Sequence, residues 1–466
     1  MTSQRIDLPD LSDDENRDVS RLLDFIASKA RFNRTVDAYY DGEKTIRATF
    51  NGVIPPQYYR LGLVLGWSAK AVDALARRCN LDDLVWPDGT LGDLGYRDLW
   101  NANQLGAEVS QGITSGLIHA TSFATATRGE DGEHPALIHF HDATDATGDW
   151  NARTRRLDNL VVVTGRGGDG HASELTVFLD GRTVTGVREG GKWSSETAEH
   201  QFGIPAAPLA YRRRLKRPFG RSRISRALRA HQDAAARSLV RLEGHSDVYS
   251  FPEFWMLGAD PSIFRNADGS PTDRFQQMIG RIKGIPDDKD AEGALARADV
   301  KKFSAESPTA NLATLNTQAK LFAREASLPD SALALTDFAN PTSAESYDAS
   351  QYELIAEAEG ATDEWSAPLR QVIQIALAIQ NGERTVPDAY RSIDCRWRDP
   401  RYTSRSAQAD AGSKTIAAVP WLAETTTGLR VLGLDRQDID EAMGERRRAQ
   451  ALARIDALAG VTDGAV

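Results

Sequence analysis

The spacing of apolar positions changes period twice along the chain, and each change predicts a different kind of element. Residues 15 to 40 carry Leu22, Leu23, Phe25 and Ile26 at helical spacing, which predicts a long amphipathic helix. A turn at Pro55-Pro56 follows, then two more amphipathic helices over 68–79 and 99–120. From 136 to 200 the period falls to two. ALIHFHD, LDNLVVVT, SELTVFLDG, RTVTGVRE and KWSSETAEH alternate apolar and polar residues between Gly-rich turns, which predicts a β-meander of four to six strands. Helical spacing returns in ISRALRAHQDAAARSLVRLEGHSDV. A short helix near 272–283 and an acidic turn, GIPDDKDAEG, come next. Over 311–327 the positions Leu312, Leu315, Ala319, Phe322 and Ala326 form a heptad-like seam suited to a neighbouring helix. WSAPLRQVIQIALAIQNG then reads as an apolar helix, and the C-terminal region is helical.

One helix start departs from this pattern. FANPTSAESYDASQYELIAEAEG, residues 338–360, opens with Ser, Glu, Tyr and Asp where a core helix would already show an apolar stripe. Thr342 and Glu345 fit a capping box, and Asn340 with Pro341 fits an alternative cap. Capping explains those residues but not the sparse hydrocarbon of the first two turns.

Composition narrows the class. The chain has 466 residues and 41% apolar content, enough for two to four domain-sized pieces or one large multi-lobed molecule. Its net charge of −10 argues against gripping nucleic acid over the whole surface. The two cysteines, Cys79 and Cys395, exclude a disulfide framework and fit a reducing compartment. The N-terminus is polar and acidic, unlike a signal peptide, and LGLVLGW and VIQIALAI are too short to span a bilayer, so we expect a soluble intracellular protein without membrane partners.

Motifs that carry chemistry are scarce. Gly165, Gly167 and Gly170 have dinucleotide-loop spacing, but the next segment reads as a strand where that fingerprint needs a helix, so a hairpin turn is the better reading. Gly186, Gly191 and Lys192 have Walker A spacing, but Trp193 stands where a magnesium-binding Ser or Thr belongs. His139, His141 and Asp142 could ligate a metal, yet only the two histidines would share a strand face and a third ligand at sensible spacing beside them is missing, so we expect no metal and no cofactor. No nucleophile elbow, His-Glu-x-x-His or paired-carboxylate signature is present, which favours a non-enzyme with no catalytic residues. One basic run stands out against the acidic total: Arg212, Arg213, Arg214, Lys216, Arg217, Arg221 and Arg223. It reads either as a solvated surface or as a contact for DNA phosphate or an acidic subunit.

The order of segments resembles one family. RPFGRSRISRALRAHQDAAARSLVRLEGHSDVYSFPEFWMLGAD resembles the stem segment of tailed-bacteriophage portal proteins. FANPTSAESYDASQYELIAEAE resembles their Asn-Pro-Ser-Ser-Ala-Glu segment, with Thr342 where many relatives have Ser. WRDPRYTSRSAQADAGSKTIAAVPWLAETTTGLRVLGL resembles the following region in portals of phages with long non-contractile tails, mainly those of actinobacteria. The β-rich segment, ending in GIPAAP, sits where the family has its wing sheet.

The resemblance implies an α+β chain with a mainly helical portal fold. Its parts would be a wing over 1–223, with the β-meander at about 136–200, a first stem helix over 224–249, a clip over 250–310 and a second stem helix over 311–330. A tunnel loop, tunnel helix and wing return over 331–399 and a crown over 400–466 would complete it. It further implies a ring, usually of twelve chains, at one capsid vertex of the virion, assembled in the host cytoplasm. Double-stranded DNA would pass through it during packaging and ejection. The implied partners are the terminase large subunit, a head-tail connector or adaptor, and the major capsid and scaffold proteins. Asn340, Thr342, Ser343, Glu345, Tyr347 and Asp348 would then face the DNA channel. An acidic ring of roughly −120 charges suits sliding DNA, since every neutralised phosphate adds friction. The competing readings are an enzyme without a recognisable motif and a monomeric nucleic-acid-binding adaptor.

Overall fold

The computed structural model describes residues 5–43, 65–249, 253–257, 268, 270, 299–303, 307–333, 349–401 and 403–462. It is an α+β chain that divides into two compact units, residues 1–398 and 399–466.

Helix α1 (Asp13–Tyr40) begins with a capping box. The Ser12 hydroxyl accepts from Glu15 N at 3.4 Å, and Glu15 Oε2 accepts from Ser12 N at 2.8 Å. Three of the four apolar residues read as its face, Leu22, Leu23 and Ile26, are buried. Phe25 is not: it is 47% exposed, and the Lys29 ammonium lies 5.1 Å from its ring centre. Helices α2 (Trp67–Ala76), α3 (Tyr96–Ala102) and α4 (Leu105–His119) follow, so the single helix expected over 99–120 is two, broken at Asn103-Gln104. Gln104 sits at φ 45°, outside the helical basin.

The meander is β4 (Ala146–Asn151), β5 (Arg156–Arg166), β6 (Ala172–Leu179), β7 (Arg182–Glu189) and β8 (Lys192–Glu199), five antiparallel strands in sequence order. ALIHFHD, expected as its first strand, is β3 (Ala136–Asp142) and pairs elsewhere, with β2 (Thr121–Arg128), whose other neighbour is β9 (Ala206–Ala210). The Val run in β5 serves two cores at once. Val161 and Val163 face α1 with Leu175, Val177 and Val184, while Leu160 and Val162 face Phe123, Phe178 and Ala206. Two-sided burial explains why that strand reads as a continuous apolar run. Both glycine-loop imitators are hairpins. Gly167 N bonds His171 O at 2.9 Å between β5 and β6, and Gly190-Gly191, at φ 57° and 85°, turn β7 into β8.

Helix α5 (Arg226–Tyr249) packs against α6 (Thr309–Glu325). Ala319, Phe322 and Ala326 of the expected seam are buried, and Leu312 and Leu315 are half-buried. Between these helices in sequence lies an antiparallel ribbon, β10 (Glu253–Leu257) with β11 (Asp299–Phe303). The short helix expected at 272–283 and the acidic turn lie outside the described residues. Helix α7 (Tyr352–Gln380) is the central apolar helix, with Leu354, Ala358, Ala361, Trp365 and Leu369 buried. It lies on β2 and β9, where Trp365 Nε1 donates to Ala210 O at 3.1 Å. A short ribbon of β1 (Leu81–Val85) with β12 (Asp394–Trp397) completes the first unit.

The second unit holds α8 (Arg405–Ala418), α9 (Thr426–Val431) and α10 (Arg436–Thr462). Gly412 lets α8 lie directly on the backbone of Val431 and Leu432, where a Cβ would collide.

Candidate functional site

Helix α7 carries a carboxylate on its buried stripe. Glu357 falls between Leu354 and Ala361 in register with them, so its carboxylate is directed into protein, and its side chain is only 8% exposed. A charge there needs partners. They come from the segment between β9 and α5, which is the basic run. Arg223 Nη1 lies 2.7 Å from Glu357 Oε1 and Arg212 Nη2 lies 2.5 Å from the same oxygen, while the Tyr211 hydroxyl also donates to it.

Arg223 does more than pair. Its Nε donates to Ala71 O of α2 at 2.7 Å, Nη1 to the Tyr211 hydroxyl at 2.7 Å and Nη2 to Ala326 O at 2.7 Å. One guanidinium therefore joins α2, the end of β9, the segment leading into α5, the end of α6 and the start of α7. Burial disfavours its charge, but the Tyr211 and Glu357 oxygens outweigh that and raise its pKa. Burial likewise pushes Glu357 up, yet the Arg223 charge, the hydrogen bonds from Arg223 and Tyr211, and Arg212 hold it below the ordinary value. Tyr211 is pushed up to about 12, chiefly by burial.

The basic run thus divides. It leaves the sheet at Tyr211, turns at Leu215-Lys216, where Arg214 and Arg217 exchange backbone bonds of 3.1 and 2.7 Å, and returns so that Arg221 N meets Tyr211 O at 2.9 Å. Gly220, at φ 67°, passes so close to the Tyr211 backbone that no Cβ fits. Arg212 is bound to Glu357, and Arg213 lies 4.4 Å from the centre of the Trp150 ring. Arg214, Lys216, Arg217 and Arg221 are exposed. Arg223, read from the sequence as part of one contact surface, is a buried structural cation instead, because carbonyls and a carboxylate surround it on every side.

The channel residues expected from the sequence, Asn340, Thr342, Ser343, Glu345, Tyr347 and Asp348, all lie outside the described residues. What adjoins them on the C-terminal side is the start of α7. There Gln351 is buried, and its Oε1 accepts from Arg78 at 2.7 Å.

A second polar cluster escaped the sequence reading. His119, at the end of α4, is 6% exposed, with Nε2 2.6 Å from Asp37 of α1 and Nδ1 2.8 Å from Asp142 of β3. Asp142 also accepts from Ser115 Oγ at 2.5 Å and Thr144 N at 2.7 Å. Burial opposes every charge here, but the carboxylates raise the His119 pKa, and Asp142, with its extra donors, falls to about 2. Among the described residues the Asp37 carboxylate meets only His119, and burial, with the Asp142 and Asp41 charges, leaves it raised. Ser115 donates to Asp142, a weakly basic carboxylate, and not to the His119 imidazole, and the constellation ties α1, α4 and β3 together. Asp142 of the metal candidate is engaged there. His141 Nε2 meets Thr125 Oγ1 at 2.9 Å, and burial, then His139, lowers the His141 pKa to about 4. Among the described residues no group of three or more His, Cys, Asp or Glu side chains is arranged to hold a metal ion.

Residues 27–450 match the family model described as "Phage portal protein, SPP1 Gp6-like". The portal protein of Mycobacterium phage L5 is 27% identical over 386 residues, covering 81% of this chain and 77% of that one. The portal protein of Mycobacterium phage D29 is 26% identical over 390 residues, covering 82% and 78%. Among solved structures, a chain of the virion of a native gene transfer agent particle aligns over 86% of this chain and 99% of its own, with 15% identity and a TM-score of 0.39. A chain from the neck of the empty gene transfer agent particle aligns over 79% and 90%, with 14% identity and a TM-score of 0.41.

Proposed function

Because the chain belongs to the SPP1 Gp6-like family of phage portal proteins, we propose that copies of it close into a ring of about twelve around a DNA channel at one capsid vertex. The family match from residue 27 to 450 carries this reading. Double-stranded DNA passes inward through the ring during packaging by the terminase large subunit and outward at ejection. A connector or adaptor joins it to the tail, and capsid and scaffold proteins surround it during assembly in the host.

The order of elements supports a division of labour. The meander with α1 to α4 forms the wing, α5 and α6 the stem pair, the β10–β11 ribbon part of the clip, the start of α7 the tunnel helix and the residues behind it to 399 the wing return, and residues from about 400 the crown. A 24-residue helix such as α5 is ~36 Å long, a suitable length for a stem. His231 of α5 and Gln318 of α6 meet at 3.1 Å and hold the pair in register. In this reading Asn340, Thr342, Ser343, Glu345, Tyr347 and Asp348 face the channel, just before the point where Glu357 pins α7.

Negative-stain images of the chain produced together with its scaffold and capsid proteins test the proposal. Rings with a central hole are expected. A homogeneous monomer under those conditions overturns it.

A further inference from the structure

We propose that the arginine-lined cleft beside the Arg214–Arg217 turn is the docking site for an acidic segment of a second copy of this chain, an inference that rests on the ring reading above. The cleft, of about 1190 Å³, lies between the β4–β5 turn, the basic run and α7. Arg155, Arg156, Arg213, Arg214, Arg370 and Arg391 line it, and no carboxylate among the described residues does. Three of these cations are answered from outside the lining: Arg370 by Asp394 at 3.2 Å, Arg391 by Asp388 at 2.8 Å and Arg213 by the nearby Glu364. Arg155, Arg156 and Arg214 have no carboxylate partner among the described residues, so the cleft holds an uncompensated positive charge.

Two features present that charge deliberately. Arg155 sits at φ 57°, a conformation that costs a non-glycine residue energy, on a turn fixed by Asn151 Oδ1, which accepts from the backbone of Arg153 and Thr154. At the cleft mouth, the Arg214–Arg217 turn holds Leu215 fully exposed, the most exposed large apolar side chain among the described residues.

The occupant follows from charge and symmetry. Phosphate could answer the guanidinium groups, but the exposed Leu215 offers it nothing. An acidic protein segment answers both features: guanidinium groups grip carboxylates in pairs, and an apolar tip suits a protein surface. In a ring larger than a dimer each contact joins two different patches of the same chain. The chain totals −10, so the surface that remains once this basic cleft is set aside is more acidic still. A basic cleft on one copy therefore meets its complement on the next, and the same contact repeats until the ring closes.

The test places the photo-crosslinker p-benzoylphenylalanine at Leu215 in rings assembled with the phage's capsid and scaffold proteins. We expect covalent dimers of this chain, with the crosslink mapping to an Asp/Glu-rich peptide. The variant Arg155→Glu/Arg156→Glu/Arg214→Glu should reduce dimer yield and ring yield at least tenfold, while the corresponding Lys variant retains both. Rings that form without a chain-to-chain crosslink, crosslinks to DNA or to another protein, or wild-type ring yield from the Glu variant overturn the cleft assignment. Absence of rings from the unmodified chain removes the ring reading instead, and this proposal with it.

Discussion

Arg223 and Glu357 form a buried ion pair, with 2.7 Å between Nη1 and Oε1 and side chains 3% and 8% exposed. Removing one charge leaves the other buried and uncompensated. Glu357→Gln should therefore cost ~3 kcal/mol or more, read as a lowered unfolding temperature. Arg223→Lys should cost a similar amount, since an ammonium cannot reach Ala71 O, Ala326 O and Glu357 together. A double substitution of both residues by Met and Leu should lose less than the sum of the single changes, by about 1–3 kcal/mol.

The His119 clamp makes stability depend on pH. The His119 pKa is raised in the folded chain, so its contribution is complete below about 6.5, its ordinary value, and fades as pH rises through the raised value. Asp142 acts in the opposite sense: its contribution is complete above 3.8 and fades as pH falls toward about 2. His119→Gln should be less stable than the parent by ~3 kcal/mol near pH 6, with a gap that narrows by pH 9. Unfolding curves across that range check it, and a gap independent of pH would show that His119 stays neutral.

The residues of the basic run should respond one by one. Arg213→Ala should lose ~1 kcal/mol through the Trp150 contact. Arg212→Ala, which leaves Arg223 in place, should cost about 1–2 kcal/mol. Arg214→Ala should leave the unfolding temperature unchanged, because the side chain is exposed, and should lower phage yield. Wild-type yield from Arg214→Ala would make that residue a solvated one.

Glu345→Lys/Asp348→Lys tests the channel reading. Ring assembly should be intact and packaged DNA per particle sharply reduced, because added cations grip passing phosphates. Normal packaging would remove this stretch from the channel.

Periodicity made much of the fold legible. The long helices, the meander and both glycine hairpins follow from local spacing and turn chemistry. Strand β2 does not: TSFATA is buried on both faces and shows no alternation, so nothing local marks it as a strand. The departure of β3 from the meander is likewise a matter of tertiary pairing, which spacing cannot encode. At the site, Glu357 was visible in principle as a charge on an apolar helical stripe. Its partners were not, because Arg223 looks like any other member of a basic run until burial separates it. Nothing around His119 in the sequence points to Asp37, 82 residues away.

The Arg223 guanidinium holds Ala326 O with one nitrogen and Glu357 with another. These two positions bracket the segment carrying the expected channel residues, so its two ends are stapled to the same atom group. The entropy of closing such a loop changes by only ~0.6 kcal/mol for each doubling of its length. Insertions and deletions between the two anchors should therefore leave the packing of α6 and α7 undisturbed, so the length of the intervening segment can vary without redesigning what carries it.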